Sequence, residues 1–384
     1  MPKTTDVAIV GGGVIGCSIA YQLAKRGIKS TVFEKDRLAS GASGATAGII
    51  GPLWYVDRTF EPYFEMGMKS LESFPQLARD LAESGVDPEF RQNGVLKLAL
   101  TEDLARELEE NLAWQGDLGL AVTWLDRDEV IEREPEIDPG VRGAVFSPRE
   151  GSVRGESYVN SLAHAARRMG ATVLEGVEVT GLVFDGTKVT GVRAALETYE
   201  ATLTVLAAGP WTGIADKWIP GRVPVRPVKG QRILVRKNGF LPKSTVQTVI
   251  PQVDGNIVIG ATREENMFDH RVTMVGIREM AAAAAAVFPT LRDAEFVAAR
   301  AGVRPGAPDG MPILGPLPEW QGLSVASGHD HAGIMLSPET GRLMADYIES
   351  GEAGPLEPFS PSRFGSDEPE RIAHPIFWNV THDR

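Results

Sequence analysis

Apolar residues fall in short blocks, each cut off by glycine or a charged residue, and helical and strand spacings alternate along the chain. Asp6-Val7-Ala8-Ile9-Val10 ends abruptly in glycine, the pattern of a parallel strand buried on both faces. Ile15, Ile19, Ala20 and Leu23 then keep helical spacing, and Gly27 is placed to end that helix. A second strand, Ser30-Thr31-Val32-Phe33, stops at Glu34. Leu203-Thr204-Val205-Leu206-Ala207-Ala208-Gly209 is another apolar strand running into glycine. Gly94 to Leu100, Gln231 to Val235 and Asn256 to Ile259 are alternating or apolar, as in an antiparallel sheet. Met280 to Val287 reads as an alanine-rich helix, and Ile334, Leu336, Leu343, Met344, Tyr347 and Ile348 mark another beyond Gly328 to Gly333.

Composition narrows the function classes. The 384 residues carry 39 Lys and Arg against 51 Asp and Glu, a formal charge of −12. Such a balance argues against a nucleic-acid partner and against an anionic membrane surface, both of which need clustered cations. One cysteine excludes an intramolecular disulfide framework and any Cys-based metal cluster, and no metal site is expected. The first six residues lead straight into a strand without a signal-peptide pattern, and Met280 to Phe288 is far too short to span a bilayer. A cytoplasmic setting is expected. Glycine is the outlier, at 42 residues, about 11% against an average near 7%.

The first forty residues give much of that glycine a chemical reason. Gly11-Gly12-Gly13-Val14-Ile15-Gly16 matches G-x-G-x-x-G between a strand and a helix. Gly11 allows the tight turn, Gly13 lets the backbone approach a pyrophosphate, and Gly16 lets the helix pack on the strand. The helix amino terminus offers unpaired N–H groups and a positive dipole to the phosphates. Glu34 closes the second strand where an acid holds a ribose hydroxyl pair, and it would repel a 2′-phosphate. The small residues Ser40 to Gly51 follow directly. They suit a cofactor that extends further, with its ring laid against backbone, better than a nicotinamide. Gly209 is suited to a close approach to the same cofactor, and the helix opening at Gly333 to an anionic ring carbonyl.

These pieces resemble the flavoprotein family of D-amino-acid oxidase, with glycine oxidase, sarcosine oxidase and their relatives most similar. The resemblance runs from about Asp6 to about Ile348. It rests on VAIVGGGVIGCSIAYQLAKRG, FEK, ASGATAGIIGP, VLAAGPWTG, RPVKGQ, NIVIGAT, AGVRPGAPDGMPILGP and SGHDHAGIMLSPETG, in that order. It implies FAD, and because the sole cysteine, Cys17, sits inside the first helix, the FAD is expected to be non-covalent. Val14 and Ile15 would flank the pyrophosphate, Glu34 with Lys35 the adenosine ribose, and Ala42, Ser43, Ala47, Gly48 and Ile49 the flavin side. Val179 would meet the adenine through its backbone, although a plain strand residue is the alternative. His329, Asp330, His331, Ala332, Gly333, Ile334 and Met335 would surround the pyrimidine part of the isoalloxazine. Arg304 matches the arginine that takes the substrate carboxylate, where a bidentate pair orients the substrate.

Departures fall where substrate choice is made. Thr248-Val249-Ile250-Pro251 stands where glycine oxidase carries a tyrosine, and no lysine stands near Ile257 to Ile259, where monomeric sarcosine oxidase has one. Many relatives place an arginine in the loop that here reads His329-Asp330-His331-Ala332. His331 is either an exposed loop residue or a substrate or flavin contact replacing that arginine as a titratable cation. Cys17, Trp54 and Trp211 read as packing residues, Lys229 as structural at a domain crossover, and Glu107, Glu109 and Glu110 as a solvated helix face.

The expectation is an α/β flavoprotein with a discontinuous Rossmann-like FAD-binding domain and a substrate domain with a mainly antiparallel sheet. The former takes roughly 1–85, 140–225 and 300–355, the latter 86–139 and 226–299, and a tail of 356–384 wraps the surface. The expected reaction is oxidation of a small amino acid with O2 as acceptor. The rivals are a dehydrogenase passing electrons to a quinone or partner subunit, and a subunit that holds FAD structurally. A homo-oligomer and a subunit of a hetero-oligomeric dehydrogenase both remain open.

Overall fold

The computed structural model describes residues 3–54, 61–219 and 223–365. Strand β1 (Lys3–Val10) is buried over its second half and enters helix α1 (Val14–Lys25) through the glycine turn. Helix α1 stops at Arg26, with Gly27 at φ +74°, and strand β2 (Ser30–Phe33) returns fully buried beside β1. The parallel order is Thr172–Leu174, β2, β1, Glu197–Leu206, Leu323–Ser327, with Ile313–Pro316 antiparallel at the edge. In chain order these five parallel strands stand 3-2-1-4-5, the arrangement of doubly wound nucleotide folds.

Helices Gly155–Arg168 and Gly333–Ser350 pack on α1, whose residues are buried almost throughout. Two small-residue contacts permit this. A Cβ on Gly341 would meet Ser18 Oγ at 2.4 Å, and a Cβ on Gly16 would meet the Gly11 carbonyl at 2.1 Å. Cys17 lies inside this core, fully buried, and burial pushes its thiol up to about 12.

The second sheet is antiparallel except where Thr245–Val246 lies parallel to Val95–Ala99. Its longest ladder, at one end of the sheet, joins Arg226–Arg236 to Glu295–Gly306. Helix Met274–Val287, capped by Thr273, begins six residues before the alanine-rich segment expected to form it and packs on this sheet. Lys229 is buried and holds Glu264 and Asp269, each at 3.3 Å. Glu107, Glu109 and Glu110 are exposed on helix Glu102–Asp117.

Hydrogen bonding divides the chain differently from the boundaries expected at 139/140 and 299/300. Strand Gly143–Ser147 pairs with Val95–Ala99 and Thr123–Asp126, and Glu295–Gly306 pairs with Arg226–Arg236. Both segments therefore belong to the second sheet. Of the tail, Leu356 and Phe359 are buried, and residues 366–384 lie outside the described residues, as does the Trp54 side chain.

One buried acid gives this fold a pH signature. Glu150 is fully buried, its Oε1 accepts from Leu53 N at 2.8 Å, and burial pushes its carboxyl from 4.5 up to about 8. A carboxyl with a raised folded pKa binds its proton more tightly when folded, so stability falls as pH rises from about 4.5 to about 8. Glu150→Gln is expected to raise Tm by several degrees near pH 9 and much less near pH 5, read by thermal unfolding. An equal shift at both pH values would contradict this.

Candidate functional site

At the carboxyl ends of β1 and β2, Gly11 takes φ +117°, and a Cβ there would meet the Ala207 carbonyl at 2.4 Å. Gly12 is as constrained: its Cβ would meet Glu34 Cβ at 2.7 Å. Gly13 differs, because a Cβ there would meet only Ser43 Oγ, at 3.3 Å. Gly13 is also the N-cap of α1, which has no side-chain cap and no acid in its first turn. A helix amino terminus with a glycine cap and no acid in its first turn attracts phosphate. Glu34, at the end of β2, accepts from Gly12 N at 2.8 Å and Asp36 N at 2.9 Å, so its carboxylate is fixed and retains lone pairs for hydroxyl donors.

The small-residue loop from Ala39 to Gly48 is held from both sides. Ser43 Oγ accepts from Val14 N at 3.0 Å, and Arg232 donates to the Gly44 carbonyl at 3.0 Å. Arg300 donates to the carbonyls of Ala39 and Ser40 at 3.3 Å and pairs with Glu156. Burial pulls the Arg232 guanidinium down to about 10, still charged at neutral pH. Gly302 lies against this loop so closely that a Cβ would meet Ala45 Cβ at 2.6 Å.

Arg304 is two residues on, on the same face of that strand. Its Nη2 donates to the Thr262 carbonyl at 3.1 Å, and a Cβ on Gly230 would meet it at 2.3 Å. Gly230 pairs with Gly302, so the arginine leans over a floor without side chains.

The third wall comes from Gly328 to Ile334. His329 is buried, with Nε2 3.0 Å from Thr340 Oγ1, and burial pulls it down to about 3, which keeps it neutral. Asp330 takes φ +46° and is 5% exposed. Burial would push its carboxyl up, but His331 and Arg263 hold it well below the usual carboxylate range. Arg263 donates to it as a fork, 3.1 and 2.8 Å, and His331 Nδ1 lies 3.5 Å away.

These walls enclose one cavity of about 800 Å³. It brings together Gly11, Gly13, Val14, Ile15, Glu34, Lys35, Ala42, Ser43, Ala47, Gly48, Ile49, Val179, Gly209, Arg304, His329, Asp330, His331, Gly333 and Ile334. Gly16, Ala332 and Met335 are not on its wall. Gly16 is pressed against Gly11, while Ala332 and Met335, each 1% exposed, turn into the core under the helix. Trp211, expected to be packing only, lines the cavity, with Lys35 Nζ 4.4 Å from its ring centroid. Gly12, Gly302 and Arg263 also line it and were not singled out from sequence. Gly302 sits in the same AGVRPG segment as Arg304, and Arg263 directly follows the GAT turn.

A family model described as FAD dependent oxidoreductase (DAO) matches residues 6–347. The chain belongs to the DAO family of FAD-dependent oxidoreductases. Glycine oxidase of Geobacillus kaustophilus is 37% identical over 375 residues, covering 94% of this chain and 98% of that protein. Hydrogen cyanide synthase subunit HcnC of Pseudomonas aeruginosa is 32% identical over 421 residues, covering 97% and 99%. The crystal structure of the Geobacillus glycine oxidase superposes with a TM-score of 0.89 at 36% identity, covering 94% of this chain and 100% of that one.

As a DAO-family protein the chain uses FAD, and the open α1 amino terminus beside Gly13 with the fixed Glu34 carboxylate fits its pyrophosphate and ribose. Cys17 is buried in α1 and absent from the cavity wall, which suits FAD held without a covalent bond. Glu34→Gln preserves shape but removes the charge-assisted acceptor. It is expected to weaken FAD binding roughly tenfold or more in apoprotein reconstitution. An unchanged Kd would remove Glu34 from the ribose site.

Proposed function

We propose that this FAD-dependent amino-acid oxidoreductase oxidises a small amino acid or N-methyl amino acid, with glycine, sarcosine and D-amino acids as the candidates, and passes the electrons to O2. The observation that carries this reading is Arg304, leaning over the bare Gly230–Gly302 floor of the cavity. A guanidinium so placed grips a carboxylate with two parallel bonds and fixes the direction of the attached Cα–H. The chemistry that FAD supplies when bound is acceptance of that hydrogen with its electron pair. Water then hydrolyses the substrate imine to an oxo acid and ammonia or a primary amine, and O2 leaves as H2O2.

Gln247 and Thr248 line the wall where the resemblance places a tyrosine, so Arg304 has no phenol from that position beside it. The likeness to glycine oxidases supports a small substrate. No described helix is long and apolar enough to cross a membrane. The reading includes a cytoplasmic setting, supported by the lone, buried cysteine.

The likeness to HcnC, named as a subunit, favours a second reading in which electrons pass to a partner. Anaerobic addition of glycine, sarcosine, D-alanine and D-proline separates the outcomes. Bleaching of the flavin band, followed in air by one H2O2 per substrate, is expected. Bleaching with turnover only on an artificial acceptor would establish the second reading, and no bleaching by any amine would overturn both.

A further inference from the structure

The Arg263–Asp330 pair spans the two sheets, apart from Arg304, the residue proposed to grip the substrate carboxylate. Arg263 follows the strand Ile257–Gly260 of the second sheet, while Asp330 precedes the helix Gly333–Ser350 that packs on α1. The pair lies on the cavity wall, its carboxylate side chain 2% exposed and its guanidinium 25%. Asp330 is held in the left-handed region, which Asp tolerates better than most residues. The carboxylate therefore sits next to the amino terminus of an 18-residue helix, where it opposes the positive end of the dipole.

We propose that Arg263 and Asp330 set the charge at the isoalloxazine end of the cavity. This rests on the reading that residues 329–334 surround the pyrimidine part of the ring. Alone, a buried carboxylate there would disfavour every negative charge arriving beside it, including that gained by the ring on reduction. The fork from Arg263, with His331 Nδ1 3.5 Å from the same carboxylate, offsets it and leaves the helix terminus free to act. Glu265 also pairs with Arg263, at 2.7 Å, but its side chain is 51% exposed and water screens it. Arg263 and Asp330 are positioning residues in this account, acting through the field they leave rather than through contact with substrate.

Sulfite binding to the holoenzyme, followed as loss of the flavin band, reads this field without any amine substrate. Asp330→Asn, nearly isosteric, leaves Arg263 uncancelled and is expected to tighten sulfite binding about tenfold. The flavin midpoint potential should rise by about 30 mV, the two-electron equivalent of that factor. Arg263→Met is expected to weaken sulfite binding by a similar factor, and the double variant to return to within about threefold of the original protein. Should Arg263→Met fail to retain FAD, the Asp330→Asn and double variants decide. Sulfite affinity and potential unchanged in Asp330→Asn, with only thermal stability lowered, would make the pair a latch between sheets and overturn the proposal. Failure of every amine to bleach the flavin would leave this test unaffected, because sulfite requires only bound FAD.

Discussion

The site depends on one seam, where the second sheet grips the backbone of the loop from Ala39 to Ala45. Arg232 and Arg300 bind three carbonyls of that loop, and Gly302 lies against its Cα and Cβ atoms. The contact is possible only because one partner has no side chain and the other has small ones. Two half-buried cations thus satisfy backbone carbonyls of the loop. The strand Glu295–Gly306 carries Arg300, Gly302 and Arg304 on one face, so docking the loop also sets the arginine proposed to hold substrate. The distance from the loop to Arg304 thus becomes a matter of strand register, which does not slip by fractions.

Charge is distributed along the cavity to match this division. The end proposed for the phosphates offers a helix terminus with no acid in its first turn, and the end proposed for the ribose a fixed carboxylate, both built from the strand, turn and helix of the first forty residues. The far end is lined with guanidinium groups from the second sheet, Arg263 and Arg304, against the Asp330 carboxylate of the first. Lys229 alternates with Val228 and Gly230 along its strand and points to the opposite face, where Glu264 and Asp269 hold it.

What was legible in the sequence was local. The glycine turn, α1 and Glu34 meet one another within the first forty residues, so spacing alone reports their mutual geometry. The resemblance extended this to Arg304 and to the wall from His329 to Ile334. Gly16 packs the helix on the strand as its place in the motif implies. Ala332 and Met335, in contrast, leave the cavity wall because a motif names neighbours in sequence while helical geometry turns some of them into the core. Arg263, Arg232 and Arg300 escaped for the opposite reason: each meets partners dozens to hundreds of residues away, and only strand pairing brings them together. The sheet boundaries near 140 and 300 were hidden likewise, since hydrogen bonding rather than composition assigns Gly143–Ser147 and Glu295–Gly306.

The central claim is that the seam presents Arg304 to a carboxylate beside the flavin. Titration of the holoenzyme with a carboxylate that lacks an amine, such as glycolate, tests it through the flavin absorbance. The account predicts a saturable spectral shift in the original protein and binding weakened by tenfold or more in Arg304→Leu at unchanged FAD content. Equal binding in the two proteins would contradict it.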